Sequence, residues 1–493
     1  MKKLKILFVT PEAAPLAKTG GLADVSYSLP LSLIEKGHDV RIILPKYGAI
    51  DERKFKIHEV LRLKNLVAKI GDKEARYNIR TSFVVGNKYK VQAYLVENHE
   101  YFSNRKGLYS DPITGKDYED NNERFILFAR SVIEAVKLLG WQPDIIHLND
   151  WQSSLVPLYL KLEKEESLKN SKTLLTIHNL AYQGEFPLEE FYKLGLPESY
   201  KFEDGVVIYD KINFLKTGIL YADAINTVSP TYAKEIIEDK ERSAGLKKVL
   251  LKRKDCLYGI LNGIDEETWN PEKDEIILRN YNYKSYELKL ENKKNLAVKF
   301  GFDFNPDEPY IYKISRIIDA KGFDLISEIF DELMKLDIKL FLLGVGEKKY
   351  HKFFIEKQNK YKNKFGCYIG YNEDLSHYLH AGGDIFLMPS RYEPCGLNQM
   401  YALKYGAVPI VRKTGGLNDT IIDIEEDPEN GYGFSFKEYK PETLLKSIIK
   451  AVDLYKNNKA LWLKIIKRGM KKDFSWNNSA KLYIDLYKNI ISK

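Results

Sequence analysis

Ile6-Leu-Phe-Val9 and then Lys18-Thr-Gly-Gly-Leu22, followed by a helix-like run over 22–35, decide how the first half of this chain folds. The theme returns near the other end as Val408-Pro-Ile-Val411 and Lys413-Thr-Gly-Gly-Leu417. Each apolar run is continuous, the pattern of a parallel strand covered on both faces. A Gly-Gly pair between strand and helix lets the backbone approach a ligand closely and aims N–H groups at it. The neighbouring lysine adds a positive point charge, so the loop suits a phosphate or a sugar diphosphate. A plain tight turn gives the same letters. Two copies in one strand–loop–helix setting favour the ligand.

Outward from the first copy, strands are expected at 40–44, 145–148, 173–177 and 224–228, with helices over 124–139 and from about 153. Gly37 closes the helix over 22–35. Residues 77–96 read as an antiparallel insertion. Alternation pauses over the polar stretch 262–305. It resumes with strands at 310–314, 338–343, 367–369, 385–388 and 408–411, and helices at 323–334, 348–358 and 397–404. A last helix over 479–491 fits either half. The class is α/β with two doubly wound lobes, since 493 residues exceed one core. Strand runs end in Asn149-Asp150, His178-Asn179 and Ser229. In open parallel sheets, ligands bind at those carboxyl ends.

The charge balance is 77 basic against 69 acidic residues, net +8, with both signs interspersed. That describes solvated faces and no nucleic-acid stripe. Cys256, Cys367 and Cys395 form no CxxC pair, which argues against a disulfide framework or zinc site and for a reducing compartment. The start, Met1-Lys-Lys-Leu-Lys5, runs straight into a strand, and no apolar run reaches membrane-spanning length. A cytoplasmic protein is expected.

Leu343-Gly-Val-Gly346 lacks the third glycine of a dinucleotide fingerprint, so a structural or phosphate-proximal turn is expected. Lys18-Thr19 is no P-loop, because Glu12 and Ala17 stand where that motif needs glycines. No two aspartates are separated by one residue, so a strict Asp-x-Asp metal clamp is missing. If the ligand is a sugar nucleotide, basic side chains and helix N-termini must neutralise its diphosphate; Arg316 and Lys321, placed after a strand, suit this, and a solvated loop gives the same letters. Glu393 lies just before a helix, where it either caps that helix or faces a cationic intermediate. Cys395, with no nearby histidine, reads as a packed residue. A lone histidine is often structural, but His178 ends a strand, which points to a site.

Together these residues resemble the bacterial glycogen synthase and plant starch synthase family. The resemblance runs in order through Lys18-Thr-Gly-Gly-Leu-Ala-Asp-Val25, Leu148-Asn-Asp-Trp151, Thr176-Ile-His-Asn-Leu-Ala-Tyr-Gln-Gly184, Leu215-Lys-Thr-Gly-Ile-Leu-Tyr-Ala-Asp223, Ile260-Leu-Asn-Gly-Ile-Asp265, Glu393-Pro-Cys-Gly-Leu397 and Thr414-Gly-Gly-Leu417. It implies a GT-B fold, two Rossmann-like lobes facing a deep cleft. Residues 1–262 would form the acceptor-side domain, with the C-terminal helix from about 478 to 493 packing back on it. Residues 263–477 would form the nucleotide-sugar domain. The implied reaction moves glucose from ADP-glucose to the non-reducing 4-hydroxyl of an α-1,4-glucan with retention, with no metal or other cofactor and no membrane or nucleic-acid partner. By family position, Lys18, Gly21, Arg316 and Lys321 would bind the diphosphate. Asp24, Asp150, His178 and Asn262 would line the glucose or acceptor side. Glu393 would face the donor sugar, with Cys395, Gly396 and Leu397 holding hydroxyls through their N–H groups. Gly20, Thr414, Gly415 and Gly416 complete the binding set, and Glu393, His178, Lys18 and Asp24 form the catalytic one. Gln152, Asn398 and Asn418 depart from commoner family residues, His, Thr and Ala respectively.

Overall fold

A parallel sheet hides both faces, so its strands are predominantly apolar. Lys5–Val9 is buried from Ile6 onward and Val408–Arg412 along its whole length. The computed structural model describes residues 3–163, 168–202 and 204–493. Met1 and Lys2, read as entering the first strand, lie outside them. Internal contacts divide the chain into two units, Met1–Asn262 with Trp476–Lys493, and Gly263–Ser475.

In the first unit, seven strands lie side by side and parallel: Leu257–Gly259, Ala224–Thr227, Lys172–Ile177, Ile145–Asn149, Lys5–Val9, Asp39–Pro45 and Lys90–Glu97. Lys73–Val85 then pairs antiparallel with Lys90–Glu97. This corrects the expected insertion. Arg41 to Pro45 pair in register with Gln92 to Val96, so the hairpin extends the main sheet. Only its outer strand alternates buried and exposed residues, as a strand with one face in solvent does. Ser229, read as a polar strand end, caps helix Pro230–Glu238 by accepting the Tyr232 N–H.

Helix Trp476–Ser492 belongs to this unit. Tyr487 Oη and His147 Nδ1 are 2.8 Å apart, and His147 Nε2 is 2.7 Å from Thr176 Oγ1. Asn226 donates to Tyr483 Oη at 3.0 Å. The helix therefore closes polar groups buried inside the sheet.

The second unit is an all-parallel sheet in the order Phe365–Ile369, Lys339–Gly344, Tyr310–Ile314, Ile385–Met388, Val408–Arg412, Phe434–Phe436. In chain order that is 3-2-1-4-5-6, the dinucleotide-fold order. The expected pause over 262–305 contains helix Lys289–Phe300. The single helix expected over 323–334 is two, Phe323–Glu328 and Phe330–Leu333, interrupted at Ile329. Glu373–Gly382, Pro441–Asn457 and Lys459–Met470 add to the helical layers. Among the described residues, no helix is long and apolar enough to cross a membrane.

Tyr487→Phe would leave the buried His147 Nδ1 without its partner. A loss of about 1–3 kcal/mol is expected in urea unfolding of the first unit; an unchanged midpoint would contradict the role given to this contact.

Candidate active site

Each sheet reverses its strand order once, between Lys5–Val9 and Ile145–Asn149 in the first unit and between Tyr310–Ile314 and Ile385–Met388 in the second. Loops leaving the carboxyl ends there diverge, and the gap is the usual ligand crevice.

At the first unit's edge, the loop after Lys5–Val9 carries Lys18, whose Nζ lies 2.7 Å from Asp24 Oδ1 in the first turn of helix Gly21–Glu35. Glu12 shapes this loop. Its carboxylate accepts the N–H groups of Thr19 (2.7 Å) and Gly20 (3.1 Å) and the hydroxyls of Thr19 (2.6 Å) and Tyr109 (2.7 Å). The Gly20 N–H is thus turned inward, a correction to the expectation that it points at a ligand. A Cβ on Gly20 would meet nothing within 4 Å, so no packing within the chain demands a glycine there.

Asp150 follows strand Ile145–Asn149, with φ at 55°, and accepts the His178 N–H at 2.7 Å. Burial pushes its carboxyl up to about 7, with the Glu12 charge adding to the rise. Asn149 donates to the Val9 carbonyl, which leaves its oxygen to accept from His178 Nε2 at 3.0 Å. Burial lowers the His178 pKa to about 3, so the ring is neutral at pH 7. Asn262 and Gln152 are both buried, each with its side-chain oxygen unpartnered among the described residues. Gly184, at φ +63°, allows the Trp151 ring to close over it, since a Cβ would stand 2.3 Å from that ring.

At the second unit's edge, Lys321 Nζ lies 2.5 Å from Glu393 Oε2, and Ser390 Oγ donates to the same oxygen at 3.0 Å. Glu393 is buried. It caps no helix, because the next one runs Asn398–Lys404 behind Leu397; of its two sequence readings, capping is excluded. Arg316 is exposed on the loop after Tyr310–Ile314 and forms no ion pair among the described residues. Lys313, unnoticed in the sequence, is buried on that strand. Its pKa is lowered to about 7 by burial first and the Lys321 charge second, against Glu393 and Asp324. Arg412 Nε donates to Ser390 O at 2.9 Å, and its guanidinium also reaches Arg391 O and Lys437 O. Asn398 donates to the Ile314 carbonyl at 3.0 Å, tying its helix to the central strand. Cys395 is buried, and the chain's own carbonyls take neither the Gly396 nor the Leu397 N–H among the described residues.

The second Thr-Gly-Gly-Leu is built differently from the first. The Gly416 N–H donates to Glu393 O (3.2 Å) and Pro394 O (3.0 Å). A Cβ would stand 2.1 Å from Glu393 O at Gly415 and 2.3 Å from Cys395 O at Gly416. These glycines press the Thr414 loop onto the Glu393 loop, and the Gly416 N–H is spent within the chain, which corrects its expected role as a ligand donor. Lys413 pairs with Glu426. Gly344 and Gly346 likewise let their turn pack on the Ser315 and Ile317 carbonyls, which makes the Gly-Val-Gly turn structural.

Two Rossmann-type sheets with charged side chains beyond their strand ends, together with a group 1 glycosyl transferase match and the fold of a solved starch synthase, place the chain among the GT-B glycosyltransferases. Residues 5–252 match the starch synthase catalytic domain and 296–467 the group 1 glycosyl transferases. The chain is 46% identical to a glycogen synthase of Geotalea daltonii over 99% of both chains, and 42% identical to one of Thermosipho africanus over 99% of this chain and all of that one. It superposes on the catalytic domain of starch synthase IV of Arabidopsis thaliana, bound to ADP and acarbose, with a TM-score of 0.90 at 32% identity over both full chains. Sucrose-phosphate synthase of Thermosynechococcus elongatus shares the fold at a TM-score of 0.59 and 16% identity, over 99% of this chain and all of that one. The chain belongs to the glycogen synthase and starch synthase family, and is a hexosyltransferase.

Gly20→Ala should shift Tm by no more than about 2 °C, whereas Gly416→Ala should lower it by about 4 °C or more through its backbone collision. Equal shifts in a thermal melt would contradict the difference between the two copies. For Asp150, the folded protein keeps the proton up to about 7 while the unfolded chain releases it near the ordinary aspartate value of 3.8. Between those values the folded state binds more protons, so this group's contribution to stability is lost as pH rises. Asp150→Asn should therefore gain in Tm relative to wild type from pH 4.5 to 7.5; a pH-independent difference would refute the shift.

Proposed function

We propose that this chain transfers glucose from ADP-glucose to the non-reducing 4-hydroxyl of an α-1,4-glucan, with retention and without a metal. The observation that carries the proposal is the Lys321–Glu393 pair at the reversal point of the second sheet, with Arg316 on the same loop as Lys321. The full-length glycogen synthase relatives and the ADP-bound starch synthase support the donor and the acceptor.

Breaking the bond between the anomeric carbon and the β-phosphate oxygen sends the electron pair to ADP. The acceptor 4-oxygen bonds that carbon on the face the phosphate leaves, and its proton passes to a phosphate oxygen. Positive charge builds at the anomeric carbon and negative charge on the diphosphate. Glu393 faces the first. Arg316 and Lys321 of the second unit are suited to neutralise the second, and Lys18 with the Gly21 N–H gives the first unit equipment of the same kind. Cys395, Gly396 and Leu397 hold glucose hydroxyls, and Thr414 and Gly415 back them. Asp24, Asp150, His178 and Asn262 line the acceptor side, where the neutral His178, its Nε2–H given to Asn149, offers Nδ1 as an acceptor. No Asp-x-Asp clamp is present for a divalent ion, so fixed cations do the neutralising. The scattered free cysteines suit a cytoplasmic enzyme.

Fixed charges aimed at developing charge contribute about 3–4 kcal/mol each. Glu393→Ala and Lys18→Ala should therefore each lower turnover about 100-fold or more while folding stays intact. Near-normal turnover would remove the residue from the mechanism. Glucose incorporation into glycogen, measured from ADP-glucose and UDP-glucose side by side with a chelator present, should be strong from ADP-glucose alone. Inhibition by the chelator that a divalent ion reverses would overturn the metal-free chemistry.

A further inference from the structure

Glu12 is buried beyond the end of strand Lys5–Val9, and its bonds account for a whole carboxylate. Such a group has about four acceptor positions. Here Oε2 takes two backbone N–H groups, from Thr19 and Gly20, and Oε1 takes two hydroxyls, from Thr19 and Tyr109. Tyr109 is anchored in turn, since its carbonyl accepts from the Asn121 amide at 2.9 Å at the start of helix Asn121–Leu139. The chain Asn121, Tyr109, Glu12, Thr19 thus fixes the backbone on both sides of the peptide that joins Lys18 to helix Gly21–Glu35.

We infer that Glu12 is a positioning residue for the transfer reaction, setting the path of the Thr19-Gly20 backbone so that Lys18 and the Gly21 N–H are presented to the donor. The inference rests on the reading above that this loop holds the diphosphate. A carboxylate next to a diphosphate site is electrostatically unfavourable, so the value of Glu12 lies in its bond geometry and not in its charge. The two donors on Oε2 are obligate, but both donors on Oε1 are hydroxyls that can turn round and accept. Glutamine can therefore reproduce all four bonds, with its carbonyl in the place of Oε2 and its amide nitrogen in the place of Oε1. Alanine can reproduce none.

The experiment measures ADP binding by calorimetry and glucan synthesis from ADP-glucose, on wild type, Glu12→Ala and Glu12→Gln. Glu12→Ala should weaken ADP binding about tenfold and lower kcat/KM about 100-fold, with KM raised and kcat reduced together, the cost of a loop misplaced by about 1 Å. Glu12→Gln should recover at least about tenfold of that loss in kcat/KM. If Glu12→Ala does not fold, Tyr109→Phe combined with Thr19→Val strips the hydroxyl donors and keeps the backbone ones; about a tenfold loss in kcat/KM is then expected. Glutamine as damaging as alanine at equal Tm overturns the inference, as does an alanine variant, or the double variant, with wild-type kinetics. A wild type that binds ADP but builds no glucan sinks the reading above and leaves the titrations to decide Glu12. A wild type that binds no ADP sinks both.

Discussion

Parallel strands all run the same way, so every connection must travel back over a face of the sheet before the next strand begins. Both faces are then covered, so strand interiors are mainly apolar, apart from buried groups such as His147, Asn226 and Lys313, and the loops at the strand ends carry most of the polar chemistry. This constraint organises each unit. Lys5–Val9 and Ile145–Asn149 release Glu12, Lys18 and Asp150, and Tyr310–Ile314 with Ile385–Met388 release Arg316, Lys321 and Glu393, at the places where consecutive loops part. Neighbouring strands add His178 and Asn262 at the same edge of the first sheet.

Loops at such an edge need fastening, and in the second unit the chain fastens them to each other. Gly322 has φ +78° and lies where a Cβ would stand 2.3 Å from the Pro389 carbonyl, while the Arg391 N–H donates to Ala320 O at 2.9 Å. Lys321 reaches Glu393 across that seam. Gly415 and Gly416 close the loop from the other side, and Arg412 gathers its carbonyls. Glycine here serves mainly to let backbone meet backbone.

The long strands were legible because a continuous apolar run has few other uses, and the strand ends pointed to Asp150, His178, Arg316, Lys321 and Glu393 without any coordinates. Helix Lys289–Phe300 was hidden for a physical reason. Two of its buried residues are lysines. Lys289 Nζ donates to three carbonyls, of His380, Ala381 and Tyr405, each at 2.9 Å, and Lys293 pairs with Asp384 at 2.9 Å. A hydrophobicity pattern scores such a face as solvent-exposed. Glu12 was visible only as a residue that spoils a P-loop, because its role depends on Tyr109, 97 positions away. The difference between the two Lys-Thr-Gly-Gly-Leu copies was beyond a sequence of identical letters. It depends on which carbonyls lie opposite.

The Glu393 loop is ordered by bonds of its own. Arg412 donates to the Ser390 and Arg391 carbonyls, Gly416 to those of Glu393 and Pro394, and Ser390 to the carboxylate itself. Immobilising a free backbone residue costs roughly 1–2 kcal/mol of conformational entropy. A ligand arriving at this edge meets residues 390–394 with that cost already met by folding, so its binding entropy is not drained by ordering them. The Glu393 carboxylate is likewise held before any ligand arrives, by Lys321 and Ser390. A rigid rim of this kind leaves most of the ordering cost of any binding event to the incoming molecule.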